Sequence, residues 1–223
     1  MSASFNSPRT ILVIGAGGHA KAVVGAAKVT GYDVRAIYDD DEAKWGKSIL
    51  GVPIFGPINR ILDAPRIPVL VAIADAATRK ALVDRLPLEW GTLIHATAII
   101  DSTVEIGPGT VAFAGVVVQA DARVGAHVIL NANATVSQDC VLEEYVHLAP
   151  GVDLASGVHV GTGSFFGIGA VATSGVRVGC WTTVGAGAAV TNDLPDRVVA
   201  VGCPARVIRS VESKPLATGV DYE

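Results

Sequence analysis

The chain has 223 residues, half of them apolar and 17% charged, with a formal net charge of −4. This excludes disorder for most of its length and leaves room for one large domain or two small ones. Its 17 lysines and arginines are spread thinly, without the basic stripe that nucleic acid requires. The cysteines Cys140, Cys180 and Cys203 are far apart and in no CxxC pattern, so the expectation is a cytoplasmic protein with buried thiols and no metal.

Residues 1–8 read as a polar tail, and the apolar run after them, "ILVIG", is too short for a secretory signal. From residue 9 to 92 the pattern is that of a small Rossmann-like α/β module. Residues 10–14 form a fully apolar run, as expected of a buried parallel strand. Gly15, Gly17 and Gly18 then make a turn with bare backbone N–H groups at a helix start, a ready anion site. A second strand, 33–38, runs into Asp39, Asp40 and Asp41. A third, 69–74, leads into the helix "AATRKALVDRL", and "TLIH" (92–95) leads out of the module. With Ala20, the glycines match a dinucleotide fingerprint that would set Asp39 on a ribose. The module is only half of a doubly wound fold, so a mononucleotide fits its size better, and a turn that merely packs helix on strand is the plainer alternative. His19 either caps this loop or touches the ligand. Trp45 reads as packing.

Beyond residue 93 the pattern changes. Every sixth residue from Ile100 to Val190 is apolar without a break, and a small or β-branched residue stands two positions before each. A period of six fits neither a helix nor a hairpin. It fits a solenoid of short strands joined at corners, three faces to an eighteen-residue coil, over residues 93–209. Uncharged tracts such as 160–176 belong to this repeat and are studded with Gly, Ser and Thr, so no membrane insertion is expected. Cys140 falls on the small inward column and reads as core. His127 and His159 read as surface or corner residues, and His95 as structural. Glu143 and Glu144 read as solvated corner residues, and Trp181 as packing. Residues 210–223 show no pattern.

The combination of "IGAGGHAKAVV", "YDDD", "WGKSILGVPIFG" and "AIADAATRKAL", followed directly by hexapeptides and by "VGCPARVIR", resembles a known family. It is similar to the hexapeptide-repeat nucleotide-sugar acetyltransferases of the bacillosamine and perosamine N-acetyltransferase type, whose build sialic-acid O-acetyltransferases share. The resemblance covers about residues 9–209. It implies a left-handed parallel β-helix, a homotrimer, and acetyl-CoA bound between neighbouring helices. It also implies an N-terminal module that holds a UDP- or GDP-linked amino sugar. Carried over by position, Gly17, Gly18 and His19 approach the phosphates or ribose, and Asp39 and Asp40 face the base or ribose. Ala74 stands where the family often has glycine. Ile168 and Ala186 hold pantetheine through their backbone, Ser156 lies close to the acetyl group, and Arg206 is near the adenosine end. His147 lies near the thioester.

The family's His-Asp or His-Glu pair falls on Gln138 and Asp139. Glutamine cannot take a proton at neutral pH, and general-base help is worth about 10²–10⁴ in rate. Three readings follow from that one residue. Another base acts, His147 or Asp139 through a water. Alternatively, residue 138 was altered, or the chain binds nucleotide sugar or CoA without chemistry. The expected reaction is direct attack of a sugar amine on acetyl-CoA, for surface polysaccharide or glycan assembly. O-acetylation is the close variant, and an NAD-dependent function is motivated only by the glycines.

Overall fold

The computed structural model describes residues 9–211. The polar start and all but Ser210 and Val211 of the patternless C-terminal segment lie outside the described residues. The order of elements is an α/β module followed by a long parallel β-helix.

In the module, β1 (Thr10–Ile14) pairs in parallel with β2 (Asp33–Tyr38) on one side and with β5 (Val69–Val71) on the other. An antiparallel hairpin, β3 (Ser48–Ile49) and β4 (Val52–Phe55), extends the sheet to the order β3-β4-β2-β1-β5. The chain thus builds outward from β1 on one side and then reverses to the other, giving a switch point between β1 and β5. Helix α1 (Gly18–Val29) covers one sheet face with Ala20, Val23, Val24 and Ala27, all fully buried. Helix α2 (Ala76–Arg85) covers the other with Leu82, next to Leu86 beyond its end. The third strand ends at Val71, short of the expected residue 74, because residues 72–75 turn away toward the β-helix.

From β7 (Ile99–Ile100) to β22 (Ala189–Val190) each strand is two residues long, and up to Val171–Ala172 each pairs in parallel with the strand eighteen residues on, as Val117 does with Thr135. Three such stacks make the prism. The second residue of each strand points to the axis, so the hexad column predicted from sequence is the core, with Leu130, Val136, Leu148, Phe166 and Val190 fully buried. The small residues two positions earlier, Val128, Ala134, Cys140 and Val146, fill the narrow corners and are also fully buried. Every sixth residue from Gly109 to Gly187 has φ near +60°, because each corner must turn left-handed. Asp121, His127, Asn133, Asp139, Tyr145 and Trp181 take that conformation without being glycine, at a cost of order 1–2 kcal/mol each.

The first residue of each strand points outward and gives each face its character. One face carries Ile99, Val117, Thr135, Asp153, Val171 and Ala189 and is apolar apart from Thr135 and the exposed Asp153, with Ile99 67% exposed. A second carries Glu105, Arg123, His159 and Arg177. The third carries Val111, Ile129, His147, Phe165 and Thr183. On this docking face Val111, Phe113 and Ile129 share one buried cluster with Val23, Val24 and Ala27 of α1, so the two modules have a common core.

Truncating an axial side chain removes contacts that a prism of fixed cross-section cannot close over. Leu148→Ala should therefore cost about 2–5 kcal/mol in urea unfolding, whereas Val29→Ala at a 70% exposed position should stay within ~0.5 kcal/mol.

Candidate active site

Open parallel sheets bind ligands outside the carboxyl ends of their strands, at the switch point. Here that crevice lies between the loops after β1 and β5. Gly15 has φ +97°, and a Cβ there would lie 2.8 Å from Ile73 Cγ1 and 3.2 Å from the Ala72 carbonyl, so the approach of the two loops requires glycine. A Cβ on Gly17 or Gly18 would meet nothing within 4 Å. These two glycines form an open floor where a ligand can reach the backbone. No side chain caps α1, which suits the N-terminus of the helix to an anion.

Asp39, at the end of β2, fixes that loop from beneath. Its carboxylate accepts from Ala16 N at 2.6 Å and Asp41 N at 2.9 Å, and Lys44 Nζ lies 3.2 Å away. Burial pushes its pKa up, but the two backbone N–H groups and Lys44 outweigh this and hold it below the ordinary value. Asp40 accepts from Ile58 N at 2.7 Å. Asp39 is thus engaged inside the module, whereas Asp40 remains exposed beside it. Trp45 donates from Nε1 to the Asp39 carbonyl at 2.8 Å and packs on Gly56, so it is structural.

The crevice opens onto the docking face at His147. Its ring centroid lies 6.1 Å from that of His19 and 5.1 Å from that of Phe165, and His19 sits edge-on to Phe113 at 5.7 Å. Beside them a cleft of about 950 Å³ is lined by Ala74, Asp75, Lys80, His147, Phe165 and Trp181, among others. His19 Nε2 and His147 Nε2 are buried with no hydrogen-bond partner among the described residues. Burial first, and the charge of Arg79 second, push His19 down to about 4. For His147 burial leads, followed by His19 and Arg79. The Ala74 carbonyl, accepting from the ring, opposes them, and the value again falls to about 4. Both rings are neutral at physiological pH.

Two histidines depart from their sequence reading. His127 is at a corner as expected, yet it is only 3% exposed, because it stacks on Tyr145 at 5.3 Å with Trp90 edge-on at 5.1 Å. His159 stands on a strand and pairs with Glu143 at 2.8 Å. Glu143 in turn accepts from Thr162 N and Oγ1, so it braces the fold and is not a free corner residue. His95 bonds Thr97, as a structural residue would. Trp181 packs over Gly163 and also lines the cleft.

Sequence reasoning missed Arg79. It is 1% exposed, the largest fully buried side chain among the described residues, and among them it has no carboxylate partner in an ion pair. Its signal was present in the pattern: Arg79 stands three and seven residues before Leu82 and Leu86, on the buried stripe of its helix.

Residues 10–86 match the family model described as the PglD N-terminal domain. A histidine-to-asparagine variant of perosamine N-acetyltransferase from Caulobacter crescentus, in complex with CoA and GDP-perosamine, is 37% identical. That likeness covers 90% of this chain and 97% of that one, with a TM-score of 0.85. The acetyltransferase domain of PglB from Neisseria gonorrhoeae FA1090, in complex with acetyl coenzyme A, is 33% identical, over 91% of this chain and all of that one, with a TM-score of 0.85. The chain belongs to the nucleotide-sugar acetyltransferases of the hexapeptide-repeat family. It is therefore an acetyl-CoA-dependent acyltransferase with a Rossmann-like module and a left-handed β-helix. Among curated relatives, the uncharacterized protein L142 of Acanthamoeba polyphaga mimivirus is 29% identical over 116 residues, a span of 23% of its length.

In this acetyltransferase the remaining sequence candidates fall on two different corners. Gln138 and Ser156 stack on the corner between the apolar and charged faces, where Gly157 N donates to the Gln138 carbonyl at 2.9 Å. Asp139 is the left-handed residue of that corner and is exposed. Ile168 and Ala186 stack on the corner between the docking and apolar faces, joined through Gly187 N to the Ile168 carbonyl at 2.8 Å. Arg206 opens β24 (Arg206–Ser210), exposed, at the last coil. A single chain therefore keeps Gln138 and Asp139 apart from His147. No helix among the described residues is long and apolar enough to cross a membrane.

The buried histidines make a pH prediction. Folded values near 4 lie below the ordinary 6.5, so the unfolded chain binds more protons. The stability they contribute is complete above about pH 6.5 and is lost as the pH falls toward 4. Unfolding followed by urea at a series of pH values should show falling stability across that window, with less of a fall in His127→Phe.

Proposed function

We propose that this acetyltransferase moves acetyl from acetyl-CoA to the amino group of a UDP- or GDP-linked sugar, as a cytoplasmic homotrimer serving surface polysaccharide or glycan assembly. The observation that carries this reading is the opening of the switch-point crevice onto the docking face at His147. A nucleotide diphosphate on the Gly17–Gly18 floor directs its sugar toward that ring. The complex of a 37% identical relative with CoA and GDP-perosamine supports the pairing of ligands.

The division of candidates between two corners supports a site completed by a second copy. Gln138 and Ser156 of one prism, set against the docking face of another, put the acetyl group between them and His147. Ile168 and Ala186 line the same seam. The exposed apolar face, with Ile99 and Val171, gives copies a surface to bury around a common axis.

The chemistry needs an unprotonated amine, a donor for the oxyanion and an acceptor for the proton. The amine nitrogen attacks the thioester carbonyl, the carbon–sulfur bond breaks, and the proton lost by nitrogen passes through His147 Nε2 to the departing sulfur. Backbone N–H groups around Ser156 hold the oxyanion. Gln138 positions the amine, and His147 Nε2 takes the proton. The ring is neutral, and the amine proton becomes acidic as the nitrogen–carbon bond forms, so a weak base suffices.

Turnover of acetyl-CoA with a panel of UDP- and GDP-linked amino sugars tests this. His147→Gln should lower kcat about a hundredfold. Gln138→His should leave kcat within a few-fold, because the proton already has an acceptor; a gain of a hundredfold would assign the base to position 138 and overturn the role of His147. A chain that binds nucleotide sugar and CoA yet turns over in neither form is a silent binder. Mixed oligomers of a Gln138→Ala chain and a His147→Gln chain should regain activity in proportion to seams that pair two intact residues.

A further inference from the structure

The loop after β5 forms one wall of the switch-point crevice, where Ile73 Cγ1 closes on Gly15 of the opposite wall. Two consecutive carbonyls of that loop converge on one buried group. Nη1 of Arg79 accepts no bond but donates to Ile73 O at 2.9 Å and to Ala74 O at 3.0 Å. Its other donors reach the prism, Nε to His127 O at 3.0 Å and Nη2 to Tyr145 O at 2.7 Å, at one corner of two successive coils. The crevice wall is therefore held to the prism through a single side chain. A planar fork can serve carbonyls from two directions at once, whereas a lysine ammonium offers its donors from one point.

Fixing the two carbonyls also fixes the N–H groups that follow them. The peptide bonds after Ile73 and Ala74 are trans, and a trans peptide sets its N–H opposite its carbonyl. With both carbonyls drawn to the guanidinium, Ala74 N–H and Asp75 N–H turn away from it. Neither has a hydrogen-bond partner among the described residues. Both residues are exposed, and both line the cleft that contains His147. The Asp75 carboxylate is already engaged by Thr78 N at 2.8 Å and Thr78 Oγ1 at 2.7 Å, and Lys80 stands on the same cleft. We propose that Ala74 N–H and Asp75 N–H, set outward by Arg79, bind the diphosphate of the nucleotide-linked sugar from the wall opposite the Gly17–Gly18 floor. Successive free backbone N–H groups suit the oxygens of an anion. Arg79 is then a positioning residue that acts through two peptide groups.

This inference rests on the reading of a nucleotide diphosphate in the crevice, and calorimetric titration of the full chain with UDP, GDP and CoA separates the two. The native chain should bind CoA and at least one of the diphosphates. In Arg79→Lys the charge remains and the fork is lost. Its Kd for that diphosphate should rise about tenfold or more. Its Kd for CoA should stay within about twofold, because Ile168 and Ala186 lie on the far corner of the docking face. Ala74→Pro removes one N–H and leaves both carbonyls to Arg79; it should weaken the same diphosphate about tenfold and spare CoA. If either folded variant binds the diphosphate as the native chain does, the N–H pair set by Arg79 is not the contact and the proposal fails. If Arg79→Lys does not fold, Ala74→Pro decides alone. A native chain that binds CoA but neither diphosphate overturns the nucleotide-sugar reading itself, and this inference with it.

Discussion

The left-handed turn at every sixth residue is the constraint on which the molecule depends. It lets a chain of two-residue strands climb as a prism of eighteen-residue coils, so that up to Val190 each strand residue stands directly over the one eighteen positions earlier. The core follows from that register, since the inward residue of every strand must be apolar. The faces follow too, because the outward residues add up along each stack to one chemical character. The docking face can receive α1 only because Val111, Phe113 and Ile129 line up beneath it. The non-glycine corners at His127 and Tyr145 carry a backbone cost, and there the prism meets the guanidinium of Arg79.

The active region is assembled from parts that each lack something. The α/β module brings a glycine floor, a crevice and the buried His19. The prism brings His147 but not the glycine floor. Their junction supplies an apolar enclosure that keeps the imidazoles uncharged, and uncharged imidazoles are what acyl transfer to an amine can use. Burial, rather than any neighbouring acid, sets that state: among the described residues no carboxylate pairs with His19 or His147, and the nearest cation also works against protonation.

The β-helix was legible because its period is written in single residues without insertion. One count from Ile100 to Val190 gives the core, and the small residues between give the corners. The first strands and helices of the α/β module were legible from apolar runs and glycine. The hairpin of β3 and β4 was not, since two-residue strands leave no periodic signal. Burial of His127 was hidden because it comes from Trp90 and Tyr145, which are distant in sequence. For Asp39 the sequence left out its bracing role, because a carboxylate after the second strand reads as a ribose ligand while the same group can brace the glycine loop from inside. Arg79 was hidden by its charge, which reads as solvent-facing unless its helical spacing from Leu82 and Leu86 is weighed first. Resemblance gave positions for Gln138, Ser156, Ile168 and Ala186, and only the folded coil revealed that they divide between two edges.

A coil that never lengthens also leaves the prism without a hinge. From residue 99 to 190 no corner among the described residues carries a loop that could swing shut over bound reactants. Reactants must instead fit an aperture of set width, bounded by rigid walls, and selectivity becomes a matter of calibre and of which side chain occupies each rung. Exchanging one rung for another retunes the opening without disturbing the rungs above and below, so a scaffold of this kind can change its substrate by small, local steps.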